Sequence, residues 1–129
     1  LQHIVTDLMP VDMFLPAPGQ GAICIENRIG DDRARQMVSN IHHVPTGQAL
    51  ACERAFLASL EGSCRVPLAG FATIDGNRMT FRGMVLSPDG CRMHETESEG
   101  EASTAAEIGQ RAAEQIRADA GPRFFDDWV

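Results

Sequence analysis

The sequence predicts an α+β fold, a three-stranded antiparallel sheet covered by helices and preceded by a strand-loop-strand-helix segment. Three observations carry this. An amphipathic stretch runs from Thr46 toward Gly62, three strand candidates follow in series between strong turn signals, and an apolar stripe at helical spacing closes the chain.

The 129 residues bound the answer to one compact domain, or one domain plus a piece of another. An apolar fraction of 43% is ordinary for a globular chain. No run of about 18 apolar residues and no basic leader with an apolar core is present, so the expectation is a soluble protein without membrane association. The net charge of −7 argues against a nucleic-acid partner, which needs a concentrated basic face. All eleven basic residues are Arg, which fits compositional bias as well as carboxylate recognition.

Within the N-terminal third, "HIVTDLM" (residues 3–9) suggests a short strand and "LPAPGQGA" (residues 15–22) a loop. "AICIE" (residues 22–26) suggests a strand buried on both faces. Asp31 or Asp32 then caps a helix whose apolar positions Ala34, Met37, Val38 and Ile41 recur at i, i+3, i+4 and i+7. Two short strands and one helix bury too little for a core, which suggests a fragment whose partners lie upstream.

From residue 42 the pattern is self-consistent. Thr46 is the expected N-cap after Pro45, and Gly62 the expected left-handed terminator. Ala49, Cys52, Phe56 and Leu60 form one stripe, widened by Leu50 and Leu57. Glu53 falls inside that arc, either as a buried partner of an Arg or as an edge residue reaching solvent. The strand candidates "LAGFATID", "RMTFRGMVLS" and "CRMHETES" are separated by Asp75-Gly76 and by Ser87-Pro88-Asp89-Gly90. Met79, Phe81, Gly83 and Val85 alternate with Arg78, Thr80, Arg82 and Met84, so one face of a meander is covered. Thr104 and Glu107 match a capping box ahead of Ala105, Ile108, Ala112, Ile116 and Ala120. The tail "RFFDDWV" docks on the core or joins an interface.

Chemistry is sparse on this reading. Cys24, Cys52, Cys64 and Cys91 form no C-x-x-C pair, so metal binding is not expected and a reduced state is. Cys64 follows a helix end whose dipole raises a thiol pKa, while Arg65 lowers it. Neither effect makes it an obvious nucleophile, and a structural thiol is the plain reading; what the position also offers is a tether, since a loop between helix and sheet can project a side chain from a rigid base. "PAPGQGA" reads as an ordinary turn or as a loop that lets backbone approach a ligand closely, with Gln20 as a hydrogen-bonding head, and is not a dinucleotide motif. The adjacent His42 and His43 diverge and make a poor ligand pair. Neither G-x-S-x-G nor H-E-x-x-H occurs.

"LPAPGQGAICIENR", "ACERAFLASLEGSCRVPLAGFA" and "SPDG", in that order, resemble the C-terminal part of the porphobilinogen deaminase (hydroxymethylbilane synthase) family. The resemblance implies a transferase that joins four porphobilinogen molecules with loss of ammonia. It implies a dipyrromethane cofactor bound by thioether to Cys64, with Gln20 and Gly21 lining the cleft and Ser63 and Arg28 as further candidates. It implies a boundary as well, residues 1–41 being a remnant of upstream α/β, periplasmic-binding-protein-like domains and residues 42–129 the cofactor-carrying domain. The family's catalytic Asp and most of its substrate-binding arginines are expected upstream, so the chain alone is expected to be inactive. A cytoplasmic location, porphobilinogen and the growing polypyrrole as partners, contact with the upstream domains and self-association of the fragment complete the expectations. "GSC" stands where many members read "GGC". The rivals are a non-catalytic binding or interaction module derived from the same domain, and a redox or metal protein using several cysteines.

Overall fold

The computed structural model describes residues 2–60 and 67–128. The segment 61–66, which holds Ser63 and Cys64 and the expected terminator Gly62, lies outside the described residues.

Helix α1 (Asp32–Ser39) begins where Asp31 Oδ1 accepts the Ala34 amide at 2.9 Å, the expected cap. None of its residues is buried, and Met37 and the following Ile41 face solvent. The two strands expected over residues 3–9 and 22–26 do not form. A 3-10 turn spans Gln2–Ile4, residues 22–28 run without ladder partners, and Ile23 is 92% exposed. An apolar run becomes a buried strand only when neighbours hydrogen-bond it and cover both faces, and the described residues offer none there.

Helix α2 (Val44–Ser59) starts one turn earlier than expected. His43 is the N-cap residue, Pro45 sits in the first turn, and Thr46 is inside the helix with Oγ1 2.8 Å from His43 Nδ1. Pro tolerates this place because its missing amide would be unpaired anyway. The predicted stripe is the buried one, with Cys52, Phe56 and Leu60 in the core and Ala49 packed against it.

The sheet is a meander in the order β1-β2-β3, with β1 at Leu68–Asp75, β2 at Arg78–Leu86 and β3 at Met93–Glu101. Asp75 pairs with Arg78 across the two-residue turn Gly76-Asn77, whose Gly76 has φ +58°. Met79, Phe81, Gly83 and Val85 point inward as predicted. The third strand is displaced from the expected residues 91–98. Ser87 N–H donates to Arg92 O at 2.8 Å, closing the turn before pairing starts at Leu86 with Met93 and runs to Arg78 with Glu101.

A 3-10 turn at Ala102–Thr104 leads into α3 (Ala105–Ala120), which ends at Gly121, φ +73°. The expected capping box is not made. Thr104 Oγ1 donates back to Glu101 O at 3.0 Å and caps nothing in α3.

Both long helices cover one face of the sheet, α2 chiefly over β1 and α3 chiefly over β3. They touch each other where Gly109 of α3 meets the Cys52 carbonyl of α2. The Phe56 ring lies on the Gly70–Gly83 pair and 5.0 Å from the Phe81 ring centroid, so burying this one side chain contributes about 2–3 kcal/mol. The C-terminal tail docks, with Phe124 fully buried and edge-on to His94, Phe125 and Trp128.

Candidate functional site around the segment 61–66

The core fixes both ends of the segment that carries Cys64. Leu60, at the C-cap of α2, is buried, and Pro67 O accepts Leu86 N–H at 2.8 Å as β1 begins. The six residues 61–66 thus join two anchored points.

Beside it, the 15–22 loop runs along the free edge of β1. Gly70 and Ala72 are alternate residues on that edge, and their amides point away from β2. Gly70 N–H donates to Pro16 O at 3.0 Å. Ala72 N–H donates to Glu53 Oε1 at 2.9 Å, while Glu53 Oε2 accepts Gly19 N–H at 2.6 Å. Among the described residues Glu53 therefore pairs with no Arg, and it does not reach solvent. Only 6% exposed, its carboxylate is satisfied by two backbone amides. A Glu in an apolar stripe signalled that a partner must exist, but amides 34 residues upstream and 19 downstream leave no mark in sequence spacing.

Gln20 and Gly21 follow directly on Gly19 and stay exposed. The turn is closed by Gln20 N–H to Ala17 O at 3.1 Å and Ala22 N–H to Gly19 O at 3.2 Å. Gly19 and Gly21 both have positive φ, +76° and +82°, which a side-chain-bearing residue rarely adopts. Gln20 Oε1 accepts Ala17 N–H at 3.3 Å. Arg28 sits in a separate turn ahead of α1, its carbonyl accepting Asp31 N–H at 3.2 Å. The structure thus brings Gln20 and Gly21 to the edge of β1 and leaves Arg28 with the α1 turn.

The remaining cysteines differ sharply. Burial, reinforced by the Glu53 charge, pushes the Cys52 thiol up to about 12, so it is neither nucleophile nor ligand near neutral pH. Cys24 and Cys91 are free and exposed. Among the described residues no group of His, Cys, Asp and Glu is arranged to hold a metal ion. A surface concavity lined by Asn77, Arg78, Glu99, Gly100 and Glu101 lies at the hairpin tip, the opposite end of β1 from the Cys64 segment.

Residues 48–118 match the family described as "Porphobilinogen deaminase, C-terminal domain". The chain belongs to this family. Similar over a longer span is the porphobilinogen deaminase of Nitrobacter winogradskyi, 47% identical over 125 residues. Those residues make up 97% of this chain and 40% of that relative, so the chain spans well under half of the porphobilinogen deaminase it matches. The family match takes in the Cys64 segment, Glu53 and the whole sheet, and the longer one reaches beyond it on one side or both.

Proposed function

We propose that the chain is the cofactor-carrying C-terminal portion of a porphobilinogen deaminase, the transferase that condenses four porphobilinogen molecules into hydroxymethylbilane for tetrapyrrole biosynthesis. The observation that carries this is 47% identity across almost the whole chain to a protein of that name. At each step the aminomethyl carbon of one porphobilinogen loses ammonia and bonds to a pyrrole α-carbon, which loses a proton. When bound, dipyrromethane supplies the first such carbon.

The residues present fit such a group. Cys64 lies between two anchored ends and supplies the sulfur of the thioether, whereas Cys52 is shut in the core with a thiol that stays protonated. Gln20 offers an exposed amide, and Gly21 offers backbone without a side chain in the way. Ser63 flanks the tether. Arg28 supplies a cation for the acetate and propionate groups of substrate. The catalytic Asp belongs to upstream domains, which pack against residues 1–41 in the parent, while residues 42–129 form the cofactor domain. The 129 residues alone are then inactive. No described helix is long and apolar enough to cross a membrane, and the proposed setting is the cytoplasm, without nucleic-acid or membrane partners.

Intact mass and peptide mapping of the full-length parent test this directly. A two-pyrrole adduct on Cys64, with an Ehrlich-positive colour lost in Cys64→Ala, is the expected result. Turnover of porphobilinogen with Cys64 bare sinks the tether.

A further inference from the structure

We infer that Glu53 is a positioning residue that holds the Gln20–Gly21 turn against the helix and strand flanking the Cys64 segment. The inference rests on the function proposed above.

One buried carboxylate joins three pieces of backbone. Glu53 stands on α2, which leads into the segment. Its Oε1 takes the Ala72 amide of β1, which leads out of it, and its Oε2 takes the Gly19 amide, one residue before Gln20. The turn also rests on the same helix, since a Cβ at Gly19 would lie 3.4 Å from Leu50 Cδ2. Only an acceptor with two oxygens serves both amides. Gln at this place presents one oxygen and one NH2, which sets donor against donor on one side. Loosening the turn therefore displaces Gln20 and Gly21 without touching either. Reacting groups tolerate little of this, because a misplacement of about 1 Å costs on the order of a hundredfold in rate.

The test uses the full-length parent carrying Glu53→Gln or Glu53→Asp, with Ile116→Val as a control that trims the core of the same domain far from the turn. Mass reports the Cys64 adduct, thermal unfolding reports stability, and steady-state kinetics separate kcat from KM. The expected result is that Glu53→Gln keeps the adduct and unfolds near the control, yet lowers kcat about ten- to hundredfold with a smaller change in KM. Glu53→Asp, which restores both acceptors one methylene short, recovers part of the loss, and the control keeps wild-type kcat. A Glu53→Gln enzyme that matches the control in kcat overturns the inference. If that variant does not fold, Glu53→Asp decides: reduced kcat with adduct present supports the role, and wild-type kcat overturns it. An active wild-type parent with Cys64 bare defeats the proposed function itself, whatever the Glu53 variants do.

Discussion

Gly109 and Cys52 show how much of this domain turns on single atoms. A Cβ at Gly109 would lie 2.1 Å from the Cys52 carbonyl oxygen, so the two helices approach as closely as backbone allows. Helix propensity favours Ala over Gly by about 1 kcal/mol, but the clash forces the helices apart. Gly109→Ala is expected to lose about 3 kcal/mol in urea unfolding, and a gain would contradict the packing. Cys52 makes a second prediction. Its thiol shifts from 9.0 to about 12 on folding. The stability it contributes is therefore complete below pH 9 and declines by about 1.4 kcal/mol per pH unit between 9 and 12. Cys52→Ala flattens that slope, and in native protein a thiol reagent labels Cys24 and Cys91 but spares Cys52. The burial of Cys52 was legible in the sequence, as its place on the helix stripe. The satisfaction of Glu53 was not, because backbone amides are the same at every residue and only the folded chain selects two of them.

At the level of elements, the turn between β2 and β3 is a small hydrogen-bonded device. Buried Ser87 donates through Oγ to Asp89 Oδ1 at 2.5 Å, Cys91 N–H donates to the same oxygen at 3.0 Å, and Gly90 N–H closes on Ser87 O at 2.8 Å. The Ser87 hydroxyl first, then the Cys91 amide, hold the Asp89 carboxyl below its usual value. A depressed carboxylate stabilises the fold above its unfolded pKa and loses that contribution as pH falls through the folded one. Carbon-detected NMR titration is expected to place the Asp89 midpoint below that of an ordinary Asp, and Ser87→Ala to bring it back up. Both turns and the inward set of β2 were legible because Asp-Gly, Ser-Pro-Asp-Gly and period-two alternation are local signals. β3 was legible only in part, since its inward residues His94, Thr96, Ser98 and Gly100 carry little apolar pattern. The segments 3–9 and 22–26 read as strands because periodicity records a capacity for burial, and burial depends on what else is there to cover them.

Over the whole molecule, apolar side chains divide unevenly. The core gathers residues of α2, the sheet, α3 and the tail, whereas Leu8, Met13, Phe14, Ile23, Ile25 and Ile29 all face solvent. Such a surface drives association. Light scattering on this 14.0 kDa chain is expected to show a mass that climbs with concentration, reduced by Met13→Ser with Phe14→Ser. A constant monomer mass across the range would remove the prediction. The Glu53 latch also has a consequence in time. Gly19 leaves the ribosome 34 residues before Glu53, and Ala72 follows 19 residues later. At about 5–20 residues per second, the Gly19 turn waits roughly 2–7 s for its carboxylate and Glu53 another 1–4 s for its second amide. A growing chain therefore closes this three-way junction only once β1 has been made, and translation that pauses between residues 53 and 72 prolongs the interval in which the turn has no strand to lie against.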